Sequence, residues 1–559
     1  MKCPPFSLVL LAILMMAAVP RMHAAVTLPA VLGDNMVIQR NRPTTLWGWA
    51  DQGEKVTVSM EGKVVATAEG KGADSFWKVR LPALKAGKVP DITVSGATNS
   101  ITLTNLLAGE LWLCGGQSNM VMTISKVRSP WCWYGGVKDA DKEIAEATHP
   151  GIRFFTEEKG KGEPVPSLTS KGKWLVCSPE TAGVCSATGY FFARTLQETL
   201  RVPVGLVISA IGGTAVEPWT PAKALEGDPG YASLTEAARK TKATLGPAAA
   251  ADAKLRADWS KAVQQAKAAK QPIPPAPVTQ LTQQQRDALA DAGTALNTRG
   301  FGPLYNAKIH PLTPLTIGGA LWYQGESNGN LPANYRYYLG RMIEGWRSAF
   351  GQQFPFLIVQ LAKCKRGGSW EQIREAQDRV ARELPACGIA TAIDIGEPGN
   401  IHPLNKQEVG RRLALVALNQ VYGREIVASG PRFAAASFGN GKAVVTFAKG
   451  TAEGLALSGP GGFLIAGEDR KFVPATAVVK DGALEVSAPG VARPVAVRYA
   501  FETCPETPLV NAQGLGAFPF RSDDWEIVTA APVPAPVSKP ASSPAATSVS
   551  PSPRPSPSN

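Results

Sequence analysis

Histidine is scarce in this chain: 559 residues contain 4. His23 falls in the N-terminal leader, so an imidazole base must come from His149, His310 or His402, each followed by proline. Clustered cysteine is missing too. The 8 cysteines form no C-x-x-C pair and no His/Cys cluster, which argues against structural zinc. We expect no metal and no cofactor. No run of five or more Lys/Arg exists, although 58 Lys+Arg against 45 Asp+Glu leave a net charge of +13. That charge reads as a solvated basic surface, and no nucleic-acid partner is expected. Long apolar runs are missing except at residues 7–19, which is too short to cross a bilayer. With Lys2 before it, Pro20 after it and Ala24 and Ala25 following, it reads as a removable signal over residues 1–24. The expected destination is periplasmic or extracellular, with no membrane span.

Export permits disulfides. Cys3 leaves with the leader, and the remaining seven cysteines leave at least one thiol unpaired. By proximity, Cys177–Cys185 and Cys364–Cys387 are plausible pairs. Residues 530–559 are rich in Pro, Ser and Ala and cannot build a core, so they read as a disordered tail.

Hydrophobic patterning divides the rest. Residues 25–108 read as an N-terminal β domain, with short strands such as Thr44–Trp49, Lys55–Met60 and Phe76–Leu81 punctuated by Gly and Pro. Over 109–429, apolar runs at 111–114, 204–209, 316–323, 356–360 and 389–393 alternate with helical stretches at 189–200, 335–350 and 372–384. Strands buried on both faces with helices between them predict an α/β parallel sheet. An Ala/Lys/Gln-rich insertion at about 227–300 predicts a surface helical hairpin. Residues 430–529 return to β patterning as a C-terminal β domain.

Within the α/β segment, Gly115 and Gly116 follow an apolar run and precede Gln117, Ser118, Asn119 and Met120. The glycines permit a sharp strand-to-helix turn that lifts the Ser118 hydroxyl to the carboxyl edge of the sheet, where open α/β sheets bind ligands. Backbone N–H groups beyond the turn can face an oxyanion. A nucleophilic serine needs a base. His402 follows the run 389–393 and its loop and so reaches the same edge. His310 and His149 both precede strand-like runs, and His310 is expected at the opposite edge. Trp322, Tyr323, Gln324, Gly325, Glu326, Ser327 and Asn328 form another strand-to-turn segment, in which Gln324 or Asn328 offers an amide and Glu326 can orient neighbours. Gly212 and Gly213 can bring a backbone N–H to a substrate. Residues 129–134, rich in aromatics, suit either a sugar face or the local core.

Taken together, the segments 116–120, 322–328 and 401–412 resemble the sialate O-acetylesterases of the SGNH hydrolase class, and the similarity extends over most of the chain. The resemblance implies a flavodoxin-like SGNH domain with β-sandwich-type additions and a serine esterase acting on O-acetylated glycans. It implies Ser118 as nucleophile and His402 as general base. It places the oxyanion hole at the Ser118 N–H, a Gly212 or Gly213 N–H, and Gln324. Gln117, Asn119 and Glu326 support them. SGNH enzymes commonly carry an Asp three residues before the His, where this chain has Gly399. Asp394 is taken as the third member, with Glu397 or a backbone carbonyl as alternatives. An acetylesterase of xylan or another plant polysaccharide would use the same centre, and a noncatalytic carbohydrate-binding protein is the alternative of a different class.

Overall fold

The computed structural model describes residues 25–126, 136–158, 160–296, 300–365 and 368–527. The expected leader and tail, the segment 129–134 and Cys132 lie outside them.

The central sheet is mostly parallel. Its strands are β1 (Leu106–Gly116), β2 (His149–Glu157), β3 (Gly172–Cys177), β4 (Val204–Ala210), β5 (Gly319–Tyr323), β6 (Phe356–Gln360) and β7 (Cys387–Thr391). Their order is β3-β2-β4-β1-β5-β6-β7, and β3 alone in this series runs antiparallel. β1 lies in the middle, with β4 on one side and β5 on the other, so the chain changes direction across the sheet there. A crevice opens at the carboxyl end of such a switch point. β1, β5, β6 and β7 are buried almost without interruption, which is why they read as apolar runs rather than alternating ones. The antiparallel β3 was not foreseen from the sequence.

Helices flank the sheet: α1 (Ser118–Val121), α2 (Ala187–Leu200), α3 (Pro229–Ala268), α4 (Gln283–Leu296), α5 (Tyr335–Phe350), α6 (Trp370–Glu383) and α7 (Lys406–Gln420). α3 runs for 40 residues, passing through Pro247, and packs against α4.

The two β-rich ends are joined differently. At the N-terminal end, Val37–Gln39 pairs parallel with β1 and Gly87–Val89 pairs antiparallel with it. Apolar residues of this end, Trp47, Val56 and Trp77 among them, belong to the same continuous core as the central sheet. At the C-terminal end, two four-stranded sheets close over a separate core that includes Val445, Leu484, Val497 and Tyr499. Polar groups fasten this end to the rest. Arg374, fully buried on α6, donates from Nη1 to Glu502 O and from Nη2 to Thr503 O, while its Nε holds Leu361 O. Burial lowers its pKa to about 10.

The proposed disulfides are corrected. All six described cysteines are free thiols. Cys387 opens β7 opposite Phe356, whereas Cys364 lies beyond the far end of β6. At about 3.3 Å of rise per residue the two are well beyond the roughly 7 Å Cα limit for a bridge. Cys177 Sγ instead approaches Ala147 O at 3.6 Å.

Candidate active site

β1 delivers its last residues into the crevice with no room to spare. A Cβ at Gly115 would sit 3.1 Å from both Trp322 and Trp346, and one at Gly116 would lie 2.2 Å from Tyr323 O. Gly116 also has φ of +135°, outside the range of ordinary side-chain-bearing residues. The Gln117 N–H then donates to Tyr323 O at 2.9 Å, and the chain turns into α1 at Ser118. As the first residue of a helix, Ser118 has an N–H with no partner inside the helix. The turn after β4 runs alongside: a Cβ at Gly212 would meet the Ser118 Cβ at 3.5 Å, and Gly213 has φ of +73°.

His402 arrives from the opposite direction, between β7 and α7. Its Nε2 lies 2.8 Å from Ser118 Oγ, and both residues are buried. Side chains hold the loop that carries it. Glu397 Oε1 accepts from Leu404 N at 2.7 Å, and its Oε2 accepts from Asn400 Nδ2 at 3.1 Å. Asn400 Oδ1 accepts from His402 N at 3.0 Å. Asn119 Nδ2, beside the nucleophile, donates to Ile401 O at 3.0 Å and to Glu326 Oε1 at 2.6 Å. The fully buried Lys406 donates from Nζ to Pro403 O. Asn405 then caps α7 by accepting from Glu408 N at 3.1 Å.

Glu326 is thus the joint between the two halves. Its Oε2 is sealed from solvent and, among the described residues, meets no hydrogen-bond partner. Burial raises its pKa, against the opposing pull of the Asn119 hydrogen bond and the Lys406 charge.

Two residues with expected roles are engaged by other partners in the structure. Asp394 is engaged by another residue: its two oxygens accept from Arg412 Nη1 at 2.6 Å and Nη2 at 2.7 Å. Close packing of Asp394 against Gly516 shows that this pair abuts the C-terminal region. Gln324 has both amide protons committed, to Thr214 O at 3.2 Å and Asn328 Oδ1 at 2.7 Å. It braces the turn after β4 rather than offering a free donor. Asn328 continues that brace, accepting from Val216 N and donating to both oxygens of Glu217, whose pKa burial raises. Gln117 lends its Oε1 to Gly325 N at 3.4 Å and Ser327 N at 3.3 Å, a supporting contact between the turns after β1 and β5.

The other histidines are elsewhere. His149 opens β2 at the amino edge of the sheet, and His310 Nδ1 meets Ser167 O at 2.9 Å. Among the described residues no group of three or more His, Cys, Asp or Glu could hold a metal ion. No described helix is long and apolar enough to cross a membrane. Sequence reasoning missed Lys406 and Asn400. Lys406 carried a signal, because a cation in the first turn of a helix opposes the helix dipole and needs a reason to be there.

Comparison with known proteins places the chain in a family. Residues 108–252 and 288–419 match the model of a carbohydrate esterase family, the sialic acid-specific acetylesterases. The chain is 28% identical to the sialate O-acetylesterase of Rattus norvegicus over 435 residues, covering 70% of this chain and 73% of that one. The human enzyme is 26% identical, with 70% and 71% covered. A crystal structure of a carbohydrate acetylesterase from Xanthomonas citri superposes with a TM-score of 0.71 at 34% identity, covering 89% of this chain and all of that one. The chain belongs to the sialic acid-specific acetylesterase family of carbohydrate esterases and is a carboxylic ester hydrolase.

Proposed function

We infer that this protein is an exported serine esterase that removes O-acetyl groups from sialic acid or a related glycan through an acetyl-serine intermediate. The observation that carries the reading is the 2.8 Å contact between Ser118 Oγ and His402 Nε2 at the switch point of the sheet. We read the α/β unit as an SGNH hydrolase domain of flavodoxin-like type, flanked by β-sandwich-type domains.

In the first half-reaction Ser118 Oγ attacks the acetyl carbonyl while His402 Nε2 takes its proton. The carbonyl oxygen becomes an oxyanion facing the N–H groups of Ser118 and Gly213. One such donor is typically worth about 2.7–4 kcal/mol in the transition state. The tetrahedral intermediate collapses, and His402 returns the proton to the departing sugar oxygen. In the second half-reaction water loses its proton to His402, attacks the acetyl-serine, and acetate leaves as Ser118 is reprotonated. Gln324 acts at one remove by fixing Thr214 O and so the Gly212–Gly213 turn. The tethered loop, rather than Asp394, sets the position of the base.

The test is acetate release by the wild type and Ser118→Ala from O-acetylated sialic acid and from acetylated xylan, with mass spectrometry of the quenched wild type. Sialate turnover that vanishes in the variant, with one acetyl group trapped on the Ser118 peptide, is the expected result. Xylan turnover alone would keep the mechanism and replace the substrate. A folded wild type inert even toward aryl acetates would overturn the esterase reading in favour of a carbohydrate-binding role.

A further inference from the structure

At the amino edge of the sheet, where β7 begins and α6 and α7 end, a cavity of about 490 Å³ opens between the central unit and the C-terminal region. Its wall carries Arg382, Arg432 and Lys449, with Ser429 and Gln420 beside them and Ile389 and Ile426 as apolar patches. The two arginines converge on one buried carboxylate. Asp378 Oδ2 accepts from Arg382 Nη2 and Asp378 Oδ1 from Arg432 Nη2. Each guanidinium has five N–H donors. Among the described residues, one contact apiece leaves about eight without a protein acceptor.

The neighbouring carboxylates are engaged elsewhere. Glu383 is held by Arg336, and Glu375 by Arg379 and Arg521. Lys449 has no ion-pair partner among the described residues and is exposed. Three cations therefore face Asp378, while Glu375 and Glu383, each already paired with other arginines, reach Arg382 only through space. The carboxyl ends of α6 and α7 add roughly half a negative charge each, which still leaves a positive surplus. Burial lowers the pKa of Arg432 to about 10, and burial together with Arg432 lowers that of Arg382.

We propose that this cavity is a second binding site, one that takes the carboxylate of an acidic sugar. Planar guanidinium forks match a carboxylate, and a pocket of this size holds one or two sugar rings. Ser429 and Gln420 suit ring hydroxyls, and the isoleucines suit a C–H face. The site stands at the opposite edge of the sheet from Ser118, so it would anchor a non-reacting part of the glycan. The choice of a sugar rests on the chain being a carbohydrate esterase, whereas the anion preference rests on the cavity alone.

The test is titration calorimetry of the full chain with unacetylated N-acetylneuraminic acid and glucuronic acid, against galactose and inorganic phosphate, at two salt concentrations. Arg382→Gln and Lys449→Gln, singly and combined, remove exposed cations and spare the Arg432–Asp378 pair. Acidic sugars should bind, more weakly at high salt. The combined variant should weaken them at least about tenfold, following the loss of two charge-assisted contacts. Its turnover of an aryl acetate should match the wild type, which separates failure of this site from failure of the esterase. Galactose binding equally well, phosphate binding equally well, affinity unchanged in the combined variant, or no acidic-sugar binding at millimolar concentration would each overturn the proposal.

Discussion

The turn that carries Ser118 is held by backbone. Two glycines press against Trp322, Trp346 and Tyr323, and the main-chain bond from Gln117 to Tyr323 locks the strand end. The loop that carries His402 is held by side chains. Glu397, Asn400, Asn119 and Lys406 each grip one of its peptide groups. The first arrangement tolerates no added atom but asks little of side-chain chemistry. The second tolerates added atoms but fails when a hydrogen-bonding group is removed. The two reacting groups therefore meet at a boundary between a sterically fixed half and a polar, tethered half.

Removing either reacting group is the severest way to break the comparison. Ser118→Ala and His402→Ala should each lower kcat/KM on an aryl acetate by about 10³- to 10⁶-fold, and the double variant should be no worse than the single ones, because the two act as a unit. Steady-state kinetics on the three variants checks this, and additive losses would contradict it.

The steric asymmetry is tested with glycines. Gly116→Ala places a Cβ 2.2 Å from Tyr323 O at a φ of +135°, and strain and overpacking should cost about 3 kcal/mol or more. A Cβ at Gly399, in the His402 loop, meets nothing within 4 Å, and Gly399→Ala should change stability by less than about 0.5 kcal/mol. Denaturant unfolding of both variants reads the contrast.

The polar asymmetry is tested by truncation. Asn119→Ala cuts the tether from the nucleophile's helix to Ile401 and to Glu326 together, and a drop of about 10- to 100-fold in kcat with little change in KM is expected. Glu397→Ala loosens only the loop, and a smaller loss of about tenfold should follow. A rise in KM without a fall in kcat would show that these groups hold substrate rather than the base.

The mildest test sits at the joint. The folded-state pKa of Glu326 is raised by burial above its ordinary value of 4.5. Stability contributed by the neutral carboxyl is therefore full below that value and is lost as pH rises through the raised one. Glu326→Gln keeps an oxygen for Asn119 and cannot ionise. It should flatten the fall in Tm as pH rises above 4.5, measured by thermal melts from acid to neutral pH.

The same contrast explains what could be read from the sequence. The Ser118 turn was legible because its determinants are local: an apolar run, two glycines and a hydroxyl within a few residues. His402 was legible because there were so few histidines to choose from. The mostly parallel sheet followed from apolar runs alternating with helical periodicity. The contacts of Asp394 and Gln324 were not legible because residue type does not tell a polar side chain which partner it will meet. Arg412, 18 residues on, claimed the first, and Thr214, 110 residues back, claimed the second. The cysteine pairs failed for a related reason, since nearness along the chain ignored the parallel register that sets Cys364 and Cys387 at opposite ends of adjacent strands.

The separate core behind the C-terminal sheets bears on how the molecule comes apart. The N-terminal strands share the central core and add to its sheet, so their amides should exchange with solvent only when the whole domain opens. The C-terminal region is joined through Arg374, a handful of ion pairs and two apolar residues that cross over, Phe518 into the central core and Ile393 into its own, and we expect it to open before the central core does. Two lifetimes of amide protection, a long one for the strands paired with β1 and a shorter one for the C-terminal sheets, should be written into a molecule whose two β-rich regions look alike in architecture.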